Sequence, residues 1–154
     1  MAVRIIDMPD DPALQQLVAS TSVQLWRRDF PLDTEEWYFD LYSESQSHGT
    51  LPVVLVALDG DEFVGTASLI ADDELPGAPE PGPWVAAVYV ADSHRRRGIG
   101  TTFLNELRSR AVQAGHSQLF LYTEDKMAWY ESMGWQTVRT ATLSSHDVTV
   151  MRWG

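Results

Sequence analysis

Residues 84–100 decide the fold, and they read WVAAVYVADSHRRRGIG. The first seven form a continuous apolar run of strand length, typical of a central strand covered on both faces. After Gly98 the apolar spacing becomes that of a helix, and Gly115 stands where a helix C-cap belongs. The apolar positions of this predicted helix are Ile99, Phe103, Leu107, Ala111 and Val112. The stretch therefore predicts a strand, a glycine-containing turn and a helix.

The turn between this strand and helix, residues 95–101, is suited to binding an anion. A helix N-terminus presents unpaired backbone N–H groups and the positive end of the helix dipole, and glycines leave room for phosphate. The spacing excludes a P-loop, and Phe103 stands where the dinucleotide fingerprint needs a small residue. A turn whose glycines serve only geometry, with solvated arginines, remains an alternative at this point.

The patterns on either side extend this unit into a sheet. Residues 119–122 form a second buried strand, so residues 84–122 predict a strand, helix, strand unit with a parallel pair. Upstream, residues 3–8 form a strand, and residues 51–58 and 62–71 form a hairpin around Gly60. Downstream, a short helix at 126–133 ends at Gly134, and strands follow at 135–140 and 147–153. We predict an α/β fold with a mixed sheet and an antiparallel tail.

Two helices are predicted between the first strand and the hairpin. Asp11 and Pro12 form the N-cap and first position of a helix that Pro31 ends. Its apolar positions are Leu14, Leu17, Val18 and Leu25. Thr34 caps a second helix, with Trp37, Tyr38 and Leu41 on one side and Gly49 at its close.

Composition bounds the class of protein. A chain of 154 residues with 44% apolar residues and a net charge of −11 predicts one globular domain over residues 1–154. The absence of cysteine excludes disulfides, thiolate metal sites and cysteine nucleophiles. No export signal and no apolar stretch of about 20 residues occurs, so we expect a cytoplasmic protein without a membrane partner.

The charge is unevenly distributed along the chain. Residues 1–80 hold 16 acidic and 3 basic side chains, whereas residues 81–154 hold 6 acidic and 8 basic ones. The three consecutive arginines at 95–97 are a local cluster rather than a broad basic face, so we expect no nucleic-acid partner.

The histidines predict no metal site, because His48, His94, His116 and His146 are scattered without ligand spacing. Residues 144–147, Ser-Ser-His-Asp, hold the residue types of a catalytic triad. They are adjacent, however, whereas triad residues converge from separate elements, so this stretch is interpreted as a hairpin turn.

Several motifs together resemble the GNAT superfamily of acetyl-CoA-dependent N-acyltransferases. Arg95, Gly98 and Gly100 match its signature of Arg or Gln, two residues, Gly, one residue, Gly or Ala, directly after the strand ending in Val88-Tyr89-Val90. Pro83-Trp84 and the Arg-Gly-Ile-Gly core at 97–100 are also similar to the family. The segment WYESMGW at 129–135 resembles its Phe-Tyr, three residues, Gly-Phe segment. The resemblance is continuous from about 62 to 138.

The resemblance implies a GNAT-like, mostly antiparallel sheet flanked by helices, with a central parallel strand pair forming the acetyl-CoA cleft. It implies that the backbone of Val88, Tyr89 and Val90 binds the pantetheine arm. It also implies that the amides from about Arg96 through Thr101, by way of Arg97, Gly98, Ile99 and Gly100, hold the pyrophosphate, with charge added by Arg95, Arg96 and Arg97. Tyr130 corresponds to the tyrosine that protonates the departing CoA thiolate. Acetyl-CoA is the cosubstrate, no metal is required, and a homodimer is compatible with the resemblance.

Two positions depart from the family pattern. Thr123 stands where many members carry an Asn that contacts the pantetheine, and a hydroxyl there makes a weaker contact. No acid occurs in residues 84–90, where some members place a glutamate as general base. The base is therefore unassigned among Asp72, Asp73, Glu74, Glu124 and water.

The predicted activity is transfer of an acetyl group from acetyl-CoA to an amine by direct attack on the thioester. The alternatives are a non-catalytic acyl-CoA-binding module or sensor, and an interaction protein whose acidic half binds a basic partner. The acceptor is a small molecule or a peptide amine, and Trp26 and Trp37 are candidates to line its groove. The acidic residues expected on its wall favour a cationic acceptor; they are Asp29, Asp33, Glu35, Glu36, Asp40, Asp72, Asp73 and Glu74.

Overall fold

The computed structural model describes residues 3–47, 50–72, 75 and 77–154. The helices are α1 (Pro12–Trp26), α2 (Glu35–Ser45), α3 (Ile99–Gln113) and α4 (Met127–Ser132), and a 3₁₀ turn covers Asp92–His94. The strands are β1 (Val3–Asp7), β2 (Val53–Asp59), β3 (Glu62–Ile70), β4 (Trp84–Val90), β5 (Leu119–Thr123), β6 (Gln136–Leu143) and β7 (His146–Trp153).

The seven strands form one mixed sheet in the order β1-β2-β3-β4-β5-β7-β6. The β4–β5 pair is parallel, and the other neighbouring strands are antiparallel. This confirms the predicted fold class and the position of β4 in the middle of the sheet. None of the helices described has the length and apolar character that crossing a membrane requires.

Helices cover both faces of the sheet. The side chains of β2 alternate between these faces and show which helices lie on each. Leu55 and Ala57 belong to the apolar cluster that contains α3, whereas Val54 and Val56 pack with residues of α1 and α2. Successive side chains of a strand point to opposite faces. The sheet therefore separates an α3 face, which also carries α4, from an α1–α2 face.

The helix after β4 forms largely as predicted. Ile99, Phe103, Leu107 and Ala111 are all buried against the sheet, and Gly115 follows the helix with a φ of 91°. The expectation for Val112 is wrong, because 54% of this residue is exposed. It is adjacent to buried Ala111, and neighbouring positions on a helix are about 100° apart, so only one of them can face the sheet centre.

The first helix differs more from its prediction. Asp11 accepts from the Leu14 N–H and caps α1 as expected, but the helix ends at Trp26 rather than near Pro31. The Phe30 N–H still donates to the Trp26 carbonyl, four residues back, so one more turn follows the helix. Pro31 ends the path there, because the residue before a proline disfavours the helical region. Leu17 and Leu25 are half exposed, since the buried positions of α1 are Val18, Ala19 and Ser22.

The remaining turns follow their sequence signals. Thr34 accepts from the Trp37 N–H and caps α2, while Gly49 lies outside the described residues. Gly60 has a φ of 61° in the β2–β3 hairpin, and Ser144 and Ser145 also have positive φ between β6 and β7. The predicted hairpin turn at 144–147 is therefore two residues shorter, because His146 and Asp147 already belong to β7.

Candidate active site

The parallel strands β4 and β5 diverge soon after they meet. The two strands pair at Trp84 and Phe120. On its other edge, β4 stays paired with β3 as far as Val90. Trp84 and Val85 are buried, but residues 86–90 are only half buried. The expectation that the whole strand is covered on both faces is thus wrong, because a gap opens on the β5 side beside Val88, Tyr89 and Val90.

A bulge in β4 accompanies this divergence. Thr66 pairs with Tyr89 and Ser68 pairs with Ala86, so β4 uses one more residue than β3 over this stretch. Ala87 lies in the bulge with a φ of 56°, a conformation that non-glycine residues rarely adopt. Such a bulge bends the strand, here where Ala86, Ala87 and Val88 line the gap.

The gap between β4 and β5 is part of a cavity of about 400 Å³ that extends to both faces of the sheet. Tyr130 belongs to the apolar cluster on the α3 face, whereas Trp26, Trp37 and Leu41 pack on the α1–α2 face. All four line this one cavity. A ligand could therefore approach from the α3 face, and its reactive end could be reached from the α1–α2 face.

The loop before α3 has the geometry predicted for an anion site. Arg96 and Gly98 have φ values of 62° and 81°, and α3 starts at Ile99. The first amides of a helix have no intrahelical acceptor, so the N–H groups of Ile99, Gly100 and Thr101 are available to an anion. Arg96, Arg97 and Thr101 are exposed beside them.

Arg95 is engaged within the protein. Its guanidinium lies 2.6 Å from an Asp92 carboxylate oxygen, and its Nε donates to the Val90 carbonyl at 3.1 Å. These contacts tie the loop to the end of β4. Arg95 thus has a structural role that the sequence did not indicate. Arg96 and Arg97 are exposed.

The missing side chain of Gly100 leaves room for the neighbouring Trp129 ring as well as for a ligand. A Cβ atom at this position would lie 3.0 Å from the Trp129 ring, which is closer than carbon atoms pack without displacement. The ring of Trp129 in turn contacts Tyr130, with centroids 4.8 Å apart. The second glycine of the motif therefore sets the packing of α4.

Tyr130 is buried in α4 between two tryptophans, and its ring centroid lies 5.9 Å from that of Trp135. Burial raises the pKa of the phenol to about 12, so the hydroxyl keeps its proton at any working pH. Thr123 accepts from the Lys126 N–H at 3.0 Å and thereby holds the turn that leads into α4. The position where the family carries Asn thus helps to place Tyr130.

Four charged or polar side chains form a cluster at the α1–α2 end of the cavity. Arg28 and Asp29 follow α1, Glu124 follows β5, and His146 begins β7; all four line the cavity. His146 Nε2 lies 2.9 Å from Asp29, and Arg28 donates to Glu124 at 2.7 Å. Sequence reasoning placed His146 in a hairpin turn and so missed its position in this cluster. The signal available was the period of two in β7, which places His146 on the face that buries Val148 and Val150.

The structure separates the candidate bases. Glu124 lines the cavity, and Asp72, though described, is not among the lining residues. Asp73 and Glu74 lie outside the described residues. So does His48, one of the histidines considered above for a metal site. Of the predicted acidic wall, Asp29 and Asp33 line the cavity, joined by Asp125 and by the cations Arg28 and Lys126.

A second histidine contact joins segments that spacing did not connect. His94 is buried, and its Nε2 lies 2.9 Å from an Asp59 oxygen. Three potential ligand atoms lie within 4.8 Å of one another, one each from Asp59, Glu62 and His94. The prediction that no metal is needed remains untested by this arrangement.

Comparison with known proteins adds a family and a fold. A family model described as the acetyltransferase (GNAT) family matches residues 15–135. A search of curated proteins returns no match. Similar solved structures include an aminoglycoside 6'-acetyltransferase type Ii, with a TM-score of 0.75 and 19% identity over 97% of this chain and 95% of that one.

Two further solved structures share the fold over nearly their whole length. A PaiA N-acetyltransferase from Thermoplasma acidophilum in complex with coenzyme A has a TM-score of 0.74 and 17% identity, over 99% of both chains. An aminoglycoside 6'-N-acetyltransferase from Enterococcus faecium has a TM-score of 0.70 and 18% identity, over 97% of this chain and 95% of that one. At such identities the likeness shows the fold.

Proposed function

The chain belongs to the GNAT acetyltransferase family, and from that premise we propose that it transfers an acetyl group from acetyl-CoA to an acceptor amine by direct attack on the thioester. The observation that carries this proposal is the cavity that crosses the sheet between β4 and β5. It opens beside Val88 and Tyr130 and continues into an acidic, aromatic chamber on the α1–α2 face. The loop suited to phosphate follows the same strand, β4, by which the cavity is lined.

Acetyl-CoA is proposed to enter from the α3 face. β5 no longer pairs with β4 at Val88, Tyr89 and Val90. The backbone groups on this edge of β4 are therefore offered to the pantetheine amides. The N–H groups of residues 96–101 receive the pyrophosphate, as helix N-termini do for anions. Arg96 and Arg97 add positive charge, and Thr123 contributes at the far side of the gap. This path brings the thioester to the bulge at Ala87, beside Tyr130.

Tyr130 is proposed to stabilise the sulfur that departs from the acetyl group. Burial raises the pKa of the phenol to about 12, so Tyr130 holds its proton firmly. We therefore expect Tyr130 to donate a hydrogen bond to the developing thiolate rather than to protonate it fully. This modifies the role expected from the resemblance.

The acceptor is proposed to bind on the α1–α2 face as a small cationic amine. Trp26, Trp37 and Tyr38 give the chamber aromatic walls, which attract cations through their ring faces. Asp29, Asp33, Glu124 and Asp125 outnumber the cations Arg28 and Lys126 in the lining. A polyamine, an aminoglycoside or the amino end of a basic peptide fits this chemistry. Glu124, partly exposed within the chamber, is the proposed group that receives the amine's proton.

The first experiment measures acetyl-CoA binding by calorimetry and thiol release with a panel of primary amines. Arg97→Glu should weaken acetyl-CoA binding about tenfold or more, because a reversed charge near several phosphate charges is repulsive even in water. Arg4→Glu is the matched control. It makes the same charge change on the exposed face of edge strand β1, and it should leave the affinity unchanged.

The outcomes separate the functions under consideration. Binding with amine-dependent thiol release supports the acetyltransferase. Binding without thiol release for any amine favours the non-catalytic acyl-CoA-binding module. Equal affinities for Arg97→Glu and Arg4→Glu would reject the loop as the pyrophosphate site.

A further inference from the structure

The cluster at the acceptor end of the cavity is built from three distant segments of the chain. Asp29 lies 117 residues before His146 in the chain, and the two side chains are joined by a hydrogen bond. The side chains of both are largely buried, at 14% and 19% exposure. Glu124, about half exposed, places its Oε1 3.6 Å from His146 Nδ1. The imidazole thus lies between two carboxylates, one buried and one open to the chamber.

The hydrogen bonds fix where a neutral His146 carries its proton. Although partial burial opposes ionisation, hydrogen bonds from Arg28 and His146 hold the pKa of Asp29 below its ordinary value. An ionised Asp29 can only accept hydrogen bonds. Arg28 Nη2 also lies 3.0 Å from His146 Nε2, but its two N–H groups are taken by the carboxylates of Asp29 and Glu124. A neutral His146 therefore carries its proton on Nε2 and donates it to Asp29. Nδ1 is then the bare nitrogen. It is buried, and it has no hydrogen-bond partner among the described residues.

This arrangement lacks one proton. A bare Nδ1 and the Glu124 Oε1 that lies 3.6 Å from it are both acceptors, and two acceptors without a proton between them repel. Moving the proton from Nε2 to Nδ1 only transfers the conflict to the contact with Asp29. Neither neutral tautomer satisfies both carboxylates, whereas one added proton on Nδ1 does.

We propose that His146 is a positioning residue that holds, by way of Glu124, the proton which the acceptor ammonium must lose before it attacks acetyl-CoA. The inference rests on the proposed acetyl transfer. An N–H bond of the ammonium breaks, and the electron pair stays on nitrogen for the thioester carbon. The proton passes to the Glu124 carboxylate and from there to Nδ1. It leaves to solvent through the exposed Glu124.

The other charges around the imidazole are accounted for. Arg28 Nη2 lies 3.0 Å from His146 Nε2 and opposes the added proton. Its charge is offset, however, by the carboxylates of Asp29 and Glu124, both of which are in contact with its guanidinium. Arg28 also holds the Glu124 Oε2, which leaves Oε1 on the side of His146. Asp33, Asp125 and Lys126 complete the charged lining of the chamber.

The test replaces His146 with Gln, which can still donate to Asp29 but cannot take up a proton. The probes are a primary alkylamine that the wild type acetylates and its β,β,β-trifluorinated analogue, which is neutral at the assay pH. For the ordinary amine we expect kcat/KM to fall about 10²- to 10⁴-fold, as for loss of a proton acceptor. For the neutral analogue the loss should be under about fivefold, since its lone pair is already free. Raising the pH toward the pKa of the ordinary amine should shrink the defect.

His116→Gln is the matched control, since this histidine follows α3 and is not among the residues that line the cavity. A purely structural role for His146 predicts equal losses for both amines at every pH, and that result would overturn the inference. Wild-type protein whose thiol release does not rise when any amine is added would instead reject the proposed function itself.

A spectroscopic readout tests the proton's position without turnover. The ¹⁵N signals of the His146 ring should show neutral imidazole protonated on Nε2, and Asp29→Asn should weaken that preference. Neutral His146 protonated on Nδ1, or a tautomer unaffected by Asp29→Asn, would contradict the relay.

Discussion

At the scale of single residues, Tyr130 is the side chain whose environment most constrains the chemistry. It is packed between Trp129 and Trp135, and burial keeps its phenol protonated. A donor held in this way needs little reorganisation when charge develops on a departing sulfur. Electrostatic stabilisation by preorganised donors acts mainly in the transition state.

Tyr130→Phe is therefore expected to lower kcat about 10²- to 10³-fold, as for loss of one preorganised donor, while acetyl-CoA affinity changes little. Thiol-release kinetics beside calorimetry measure the two quantities. Tyr42→Phe removes a hydroxyl from the core between α1 and α2, outside the cavity lining, and serves as the control. A Tyr130→Phe enzyme with the wild-type kcat, where chemistry limits turnover, would leave this tyrosine only a packing role.

Gly100 gives a second prediction at the residue scale, because a Cβ there meets Trp129. Gly100→Val should lower the free energy of unfolding by about 1–3 kcal/mol through overpacking. Trp129→Leu in the same chain should recover most of that loss, as measured by urea denaturation. Acetyl-CoA affinity should fall more than about tenfold in both variants if the valine also obstructs the pyrophosphate. Recovery of affinity in the double variant would mean that Gly100 acts only through Trp129.

At the scale of elements, the site depends on where strands and helices start and stop. The bulge at Ala87 bends β4, and Thr123 ends β5 with its hydroxyl bonded to the turn before α4. These two features open the cavity and bring Tyr130 to its edge. Neither residue needs to react in order to matter for catalysis.

Thr123→Val tests this connection, since valine keeps the shape and removes the acceptor. Leaving the Lys126 N–H without its partner should cost about 1–3 kcal/mol in unfolding free energy, and kcat should fall as α4 loosens. Thr21→Val is the control. The Thr21 hydroxyl donates to Leu17 within α1, so its loss should cost less than about 0.5 kcal/mol. Equal effects of the two substitutions would remove Thr123 from the argument.

At the scale of the whole molecule, the uneven charge coincides with the two faces of the sheet. The three arginines of residues 95–97 precede α3, while the net charge of −11 arises from the first half of the chain, which supplies α1 and α2. Cofactor phosphates and a cationic amine would thus be drawn to opposite faces. Fields of this kind raise association rates and are screened by salt.

We expect kcat/KM to favour a cationic amine over a neutral amine of matched size at low ionic strength. The preference should shrink between about 0.01 and 0.15 M salt, as the Debye length falls from about 30 to 8 Å. Steady-state kinetics with both amines at both salt concentrations measure it. A preference that is absent at low salt, or unchanged by salt, would mean that the acidic surface serves solubility alone.

The sequence was enough to predict the strand, helix, strand unit at residues 84–122, the turn before α3, most helix caps and the resemblance to the family. These depend on local signals: apolar periodicity, caps, and glycines at positions of positive φ act within a few residues. The packing of Trp129 on Gly100, the bond from Arg95 to the end of β4, and the contacts of His146 with Asp29 and Glu124 became visible only in three dimensions. Those contacts form because the divergence of β4 and β5 and the packing of α1 on the sheet bring distant segments together. Spacing along the chain carries no record of such distances.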